Sequence, residues 1–209
     1  MRTTPPSRTL AFDGLEIAWD ERVLEPRPWT VAQPHWLAEL AVDAPPGRAL
    51  ELFSGAGHMG LALARATGRP TVLADLNPVA CDFIRANAEA AGLVVEVRHA
   101  AVGRTVLEGE TFALALVDPP WVATADLTQF PEDPVLAIDG GHDGLALARE
   151  AVGVVSRCLA PGGHAVLQMG HPEQVDELWR TIGDAAGDLE LVTVRDHRPG
   201  GVLAHLRAP

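Results

Sequence analysis

The sequence predicts an α/β protein: a doubly wound, mostly parallel seven-stranded sheet with an antiparallel C-terminal strand pair and an N-terminal β-hairpin and helix. Three observations carry that prediction. From residue 48 onward, apolar runs of strand length alternate with longer segments of helical periodicity, the pattern of βα units. The first run, Ala49-Leu50-Glu51-Leu52, enters Phe53-Ser54-Gly55-Ala56-Gly57-His58-Met59-Gly60, where the glycines have the G-x-G-x-x-G spacing and a helical pattern follows. Two apolar runs near 189–194 and 202–206 flank Asp196-His197-Arg198-Pro199-Gly200-Gly201, which suits an antiparallel pair closing the sheet. The arrangement is Rossmann-like, with ligands expected at the carboxyl ends of the strands.

Residues 1–8 read as a frayed tail. Leu10-Ala11-Phe12 and Leu15-Glu16-Ile17-Ala18-Trp19 flank Asp13-Gly14, a pair that tolerates the positive φ of a tight hairpin turn. A proline-rich segment, Val23-Leu24-Glu25-Pro26-Arg27-Pro28-Trp29-Thr30, leads to a helix near 34–41, and Ala44-Pro45-Pro46-Gly47 reads as a linker. The expected division is an extension over 1–47 that covers the substrate side, and a ligand-binding domain over 48–209. In the second part, strands are expected near 48–53, 71–75, 93–98, 112–117 and 164–169. Helices are expected near 58–67, 78–91, 143–159 and 172–182. Pro78 opens one of them at a first-turn position, Gly92 stops it, and Pro161-Gly162-Gly163 ends another.

At 209 residues and 47% hydrophobic content, the chain suits one globular core. The formal charge of -12 and the absence of Lys argue against general nucleic-acid binding, which needs cations opposite phosphates. No apolar run is long enough to span a membrane, and Met1-Arg2-Thr3-Thr4-Pro5-Pro6 lacks the apolar core of a signal peptide. The expected location is cytoplasmic. Cys81 and Cys158 lie in expected helices without metal-ligand spacing and read as small buried hydrophobes, so no metal site is expected.

The turn through Gly55, Ala56, Gly57 and Gly60 lets the backbone approach a ligand at the start of a helix, where free N–H groups favour a negative group. Its spacing alone is a weak signal, and two acids sharpen it. Asp75 closes the run Thr71-Val72-Leu73-Ala74 about 20 residues past the first glycine, where a carboxylate takes ribose hydroxyls. Glu51 stands ahead of the glycines, where a carboxylate can hold a ligand ammonium group. A nucleoside that carries an amino-acid end would use both acids, and S-adenosylmethionine is such a ligand.

A second motif follows the apolar run 112–117: Asp118-Pro119-Pro120-Trp121. In a doubly wound sheet this loop opens beside the same cleft. Two prolines fix its backbone, so the Asp118 side chain and the Pro119 carbonyl can act as paired acceptors, and Trp121 supplies a flat face. Such a set suits a nitrogen bearing N–H groups, held with its lone pair along the line of methyl transfer. The plainer alternative is a proline-stiffened turn with Trp121 in the core.

Asp-Pro-Pro-Trp after the fourth strand resembles the Asp/Asn-Pro-Pro-aromatic motif of S-adenosylmethionine-dependent methyltransferases that act on nitrogen. The chain most resembles the release-factor glutamine methyltransferases of the HemK/PrmC type. Phe12-Asp13-Gly14-Leu15-Glu16 through Val23-Leu24-Glu25-Pro26-Arg27-Pro28 is similar to that family's hairpin and "liPRPeTE" segment. Asp139-Gly140-Gly141-His142-Asp143-Gly144-Leu145 resembles "GGxDGL", and Leu159-Ala160-Pro161-Gly162-Gly163 through Gly170 resembles "LxpGGxxxxExG". The resemblance covers residues 10–182. It implies a donor held by Glu51, Phe53, the glycine turn, Asp75, Leu76, Asn77 and Asp118. It also implies catalytic roles for Asp118, Pro119 and Trp121, and substrate contacts at Arg27, Trp29 and His142. The alternatives for the last three are a structural ion pair, packing under the hairpin, and plain solvent exposure.

The departures bear on the substrate. The family's helical N-terminal domain has no counterpart in these residues, and its Asn-Pro-Pro-Tyr is Asp-Pro-Pro-Trp here. Trp29-Thr30 replaces the Glu after "PRP", and Arg98-His99-Ala100-Ala101 offers no acid for an adenine amine. An Asn donates and accepts, matching a glutamine amide, whereas an ionised Asp only accepts. Asp118 therefore fits an amine, amidine, guanidine or exocyclic ring amine. An aliphatic amine must first lose a proton, at roughly 4–5 kcal/mol at pH 7, and a weakly basic nitrogen avoids that cost. Between Arg104 and Arg149 His142 is the only basic residue, while Glu108, Glu110, Asp118, Asp126, Glu132, Asp133, Asp139 and Asp143 all fall there. The expected acceptor is thus a small molecule or peptide with a neutral or cationic nitrogen. The alternatives are a protein-glutamine or nucleic-acid amine methyltransferase and, from another class, an NAD(P)-dependent oxidoreductase sharing the glycine fingerprint. His58 reads as a bystander beside the ligand, and Trp179 as a core residue.

Overall fold

The computed structural model describes residues 7–197 and 200–209, so the tail up to Pro6 and Arg198-Pro199 of the last turn lie outside the described residues. Strands β1 (Arg8–Phe12) and β2 (Leu15–Trp19) pair antiparallel with Phe12 opposite Leu15. Their turn places Asp13 at φ 48° and Gly14 at φ 72°, the left-handed pair that a two-residue hairpin needs. A 3₁₀ turn at Pro28–Val31 runs into α1 (Ala32–Leu40). Then follow β3 (Ala49–Leu52), α2 (His58–Thr67), β4 (Thr71–Asp75), α3 (Pro78–Ala90), β5 (Glu96–His99) and β6 (Phe112–Val117). After a long loop come α4 (Val135–Ile138), α5 (Ala146–Cys158), β7 (Leu159–Met169), α6 (Pro172–Thr181), β8 (Glu190–Asp196) and β9 (Val202–Arg207).

The main sheet has seven strands in the order β5-β4-β3-β6-β7-β9-β8. Strands β3 to β7 are parallel to one another, whereas β9 lies antiparallel to both β7 and β8, so the expected C-terminal pair is present. The largest difference from the expected boundaries is at β7, while β5 and α5 each begin three residues later than expected. Pro161-Gly162-Gly163 does not precede β7 but lies inside it, at a bulge where the register against β6 shifts between Phe112 and Leu114. A Cβ on Gly163 would sit 2.9 Å from the Ala113 carbonyl oxygen, so a tripeptide that reads as a helix stop is the bulge itself.

Strand alternation sends side chains into two cores. Val117, Leu167, Val152 and Val155 pack on the α5 side, joined by partly buried Trp179, while Leu116, Val166, Leu61 and Ile84 pack on the opposite face. Phe12, Ile17, Trp19, Trp36 and Leu37 of the N-terminal segment belong to that second core. Asn87 of α3 holds the hairpin edge, its Oδ1 accepting from Ala18 N at 2.8 Å and its Nδ2 donating to Ala18 O at 2.9 Å. Cys81 and Cys158 are buried free thiols. Among the described residues no helix is long and apolar enough to cross a membrane.

Candidate active site

The strand order reverses between β3 and β6, and a cavity of about 570 Å³ opens at their C-terminal ends. That volume and place match small-molecule sites in open α/β sheets. Phe53, Gly55, Asp75, Leu76, Asn77, Asp118, Pro119, Trp121, Arg27 and Trp29 all line it. Glu51, Ala56, Gly57, Gly60 and His142 do not. The strap that lines the cavity from the N-terminal segment is the chain from Arg22 to Thr30; the hairpin lies against α2 and α3 instead.

Phe53 leaves β3 at φ 62°, a left-handed conformation uncommon outside glycine, and so starts the turn. Ser54 then ties β3 to β4, its Oγ accepting from Ala74 N at 3.0 Å. Asp75, at the end of β4, accepts the Gly55 N–H on Oδ2 and the Asn77 N–H on Oδ1, both at 2.8 Å. Burial raises its pKa. Asn77 caps α3 by accepting from Val79 N at 2.9 Å, and its amide donates to the Arg22 carbonyl, fixing the strap.

Glu51 points inward rather than at the cavity. Its Oε1 accepts the Gly60 N–H at 3.0 Å, its Oε2 has no partner, and complete burial pushes its pKa up to about 8. Gly60 is glycine for the same reason: a Cβ there would collide with the Glu51 carboxylate and stand 2.9 Å from Leu73. At Gly57, φ is 83° and a Cβ would meet Ile84 at 3.0 Å. Two of the three glycines therefore serve packing under the turn.

Asp118 is half-buried on the cavity wall and, among the described residues, makes no hydrogen bond or ion pair. Enclosure pushes its pKa up to about 7. Gln174 holds the following loop, donating to the Trp121 carbonyl at 2.9 Å while its Oε1 accepts the Gly170 N–H at 3.0 Å. The indole lies over Gly170, where a Cβ would come within 2.7 Å of the ring. Gly140 donates to the Val122 carbonyl at 2.8 Å and packs so closely that a Cβ would lie 2.7 Å from the Pro120 oxygen. The Gly-Gly-x-Asp-Gly segment thus braces the Pro-Pro corner from behind, and His142 itself is exposed. Arg27 is committed to an ion pair with Asp133 at 2.8 Å, which joins the strap to the long loop. The Trp29 carbonyl accepts from His197 Nε2 at 3.1 Å.

Sequence reading passed over the buried polar side chains of Thr30, Gln33 and Gln168. The Thr30 hydroxyl donates to the Arg27 carbonyl at 2.7 Å, so His58 Nε2 must donate to Thr30 at 3.2 Å, leaving Nδ1 unpaired. Burial drops the His58 pKa to about 3, so the ring is neutral. Fully buried Gln33 donates from Nε2 to the carbonyls of Val117 at 3.0 Å and Val166 at 2.8 Å. Gln168 lines the cavity, and it occupies the acid position of the "LxpGGxxxxExG" pattern, the one local signal that marks it. Where an acid after β5 is missing, Ala100, Ala101 and Val102 form the wall.

A family model described as Methyltransferase small domain matches residues 35–132. The release factor glutamine methyltransferase of Deinococcus radiodurans is 36% identical over 169 residues, covering 76% of this chain and 58% of that protein. The protein of the same name from Caulobacter vibrioides is 32% identical over 209 residues, covering 93% of this chain and 70% of its own. The chain belongs to the release factor glutamine methyltransferase family. It spans 58% of the Deinococcus member's length. Membership in this family sets the nicotinamide alternative aside. In fold, the chain is similar to the tRNA (uracil-54, C5)-methyltransferase of Pyrococcus abyssi in complex with S-adenosyl-L-homocysteine. The TM-score is 0.62 at 16% identity, covering 96% of this chain and 44% of that one. The same scaffold thus occurs in an enzyme of tRNA, so net charge alone does not set nucleic acid aside as an acceptor.

Proposed function

We propose that the chain is an S-adenosylmethionine-dependent N-methyltransferase whose acceptor is a nitrogen of a small molecule or peptide. The observation that carries this reading is the meeting of two carboxylates on one cavity: Asp75, bonded to the glycine turn, and Asp118, without a hydrogen-bond partner among the described residues. The residues present fit the donor. Each Asp75 oxygen already accepts one backbone N–H and keeps a second lone pair for ribose hydroxyls. Leu76, Ala100, Ala101 and Val102 offer an apolar wall for a flat base. The carboxylates of Asp75 and Asp118 favour a cation. When bound, S-adenosylmethionine supplies a methyl group on a positively charged sulfur.

The chain's own part is to hold and orient. Asp118 and the Pro119 carbonyl accept N–H groups from the acceptor, Trp121 gives it a flat neighbour, and Gln174 and Gly140 keep that corner in place. Such positioning is worth about 7–11 kcal/mol in favourable cases. With its pKa near 7, Asp118 can take up at Oδ the proton that the methylated nitrogen sheds. The location consistent with this role is the cytoplasm.

The family's named members favour a second acceptor, a peptide glutamine. Asp118 favours a nitrogen that offers donors alone. Calorimetry with S-adenosylmethionine and with NAD tests the class, and binding of NAD alone would end this reading. Labelled-methyl transfer to release factor, nucleic acid and cationic metabolites separates the acceptors. Asp118→Ala should weaken donor binding only slightly, because Asp75 keeps the ribose contacts, and should abolish transfer; full activity in that variant would overturn the role given to Asp118.

A further inference from the structure

No acid follows β5 in Ala100-Ala101-Val102, yet the cavity wall formed there has a carboxylate. It belongs to Glu150 of α5, which lines the cavity together with those three residues. Leu147, three residues earlier and so on the same helix face, lines it too. Glu150 is remote from β5 in the chain and arrives because α5 packs against the 3₁₀ turn at Val102–Arg104.

The carboxylate is held in place there. Its Oε1 accepts the Gly103 N–H at 3.1 Å, and its Oε2 has no protein partner among the described residues. The Gly103 backbone lies outside the left-handed region, so its φ does not require glycine. A Cβ there would stand 2.6 Å from Glu150 Oε1, so the missing side chain makes the seat for the carboxylate. Across the cavity wall, Asp75 ends β4 opposite His99 of β5. A nucleoside whose ribose hydroxyls meet Asp75 therefore sends its base past Leu76 toward Ala100, Ala101, Val102 and Glu150.

We propose that Glu150 is the base-selecting residue of the donor site, its Oε2 accepting an N–H of the adenine 6-amino group. This rests on the methyltransferase reading and adds to it the side chain that tells adenine from other purines. A carboxylate only accepts, so it pairs with the exocyclic amine of a 6-aminopurine and repels the carbonyl oxygen of a 6-oxopurine. The side chains of Leu76, Ala100, Ala101, Val102 and Leu147 are apolar and make no such distinction.

The test titrates S-adenosylhomocysteine and its 6-oxo counterpart, S-inosylhomocysteine, into the full chain by calorimetry. The unsubstituted chain should bind the 6-amino compound about tenfold more tightly, the scale of one hydrogen bond to a charged group. In Glu150→Gln the amide oxygen keeps the Gly103 N–H and turns its NH₂ to the base, so the ratio should fall to about one or invert. Gly103→Ala pushes the unaltered carboxylate off its seat and should reduce the ratio to about threefold or less. Glu150 is exposed, so neither variant threatens the fold. A purely structural Glu150 would lower both affinities together, so an unchanged ratio in either variant overturns the assignment. Equal binding of both compounds by the unsubstituted chain overturns it alone, whereas binding of neither overturns the methyltransferase reading as well.

Discussion

Asp75 accepts the Gly55 backbone N–H at 2.8 Å, so the acid at the end of one strand holds the turn at the end of the next. The same carboxylate accepts from Asn77 at the entry to α3. Asp75→Ala therefore removes the proposed ligand contact and two supports of the turn together. Affinity for S-adenosylmethionine should fall by about a hundredfold, the sum of two lost hydrogen bonds to a charged group. Calorimetry checks this, and Asp75 has no such role if the affinity of Asp75→Ala stays within a few-fold of the original.

Gly60→Ala tests the contact beneath the turn. A methyl there meets the Glu51 carboxylate and the Leu73 side chain in a region without free space. Overpacking of this kind costs about 1–3 kcal/mol. For a chain of this size each kcal/mol lowers the Tm by about 2–4 °C, so a thermal melt reads it directly. An unchanged Tm would mean that Glu51 moves aside freely.

Glu51 and Asp118 ionise near 8 and near 7 in the fold, against 4.5 and 3.8 for the free groups. Between those values the folded chain binds more protons than the unfolded one, so their contribution is present in acid and is lost as pH rises toward 8. His58 and His205, which is buried on β9 against His164 at 2.9 Å, act in the opposite sense. They stay neutral down to about 3 and about 4, whereas the unfolded chain protonates near 6.5. Their contribution is present above 6.5 and is lost as pH falls below it. Melting curves from pH 5 to pH 9 should show Glu51→Gln losing less stability than the original on the alkaline side. Parallel curves would contradict the burial of a titrating Glu51.

Arg27→Ala breaks the ion pair with Asp133 and separates the strap from the loop that follows Trp121. Limited proteolysis should then cut within 124–134 faster than in the original chain, while the Tm changes little, because the pair is partly solvent-exposed. Equal cleavage rates would show that the loop is held without this ion pair, by contacts such as that of Thr124 with Asp139.

Much of this was legible in the sequence because its signals are local. The glycine turn, Asp75 at a strand end and the Asp-Pro-Pro-Trp corner each declare themselves within a few residues, and periodicity placed the strands around them. What escaped depends on partners distant in the chain. Glu51 reads as a ligand-binding acid until Gly60 claims it from inside α2. Gln33 sits in a short helix with no pattern that marks its two carbonyl partners, and Arg27 finds Asp133 across the cavity. Pro161-Gly162-Gly163 misled for the reverse reason, since a strand bulge and a helix stop use the same residues.

Gln33 also has a consequence for anyone who trims the chain at its proline-rich linker. A fragment starting at residue 48 would lose the Gln33 hydrogen bonds to the Val117 and Val166 oxygens, and would strip Trp36 and Leu37 from the sheet they cover, opening an apolar face to water. The remainder would be a sticky half-globule without fixed side-chain packing. Intact, the chain should melt in a single calorimetric transition, since the piece that looks like an appendage is a wall of the same building.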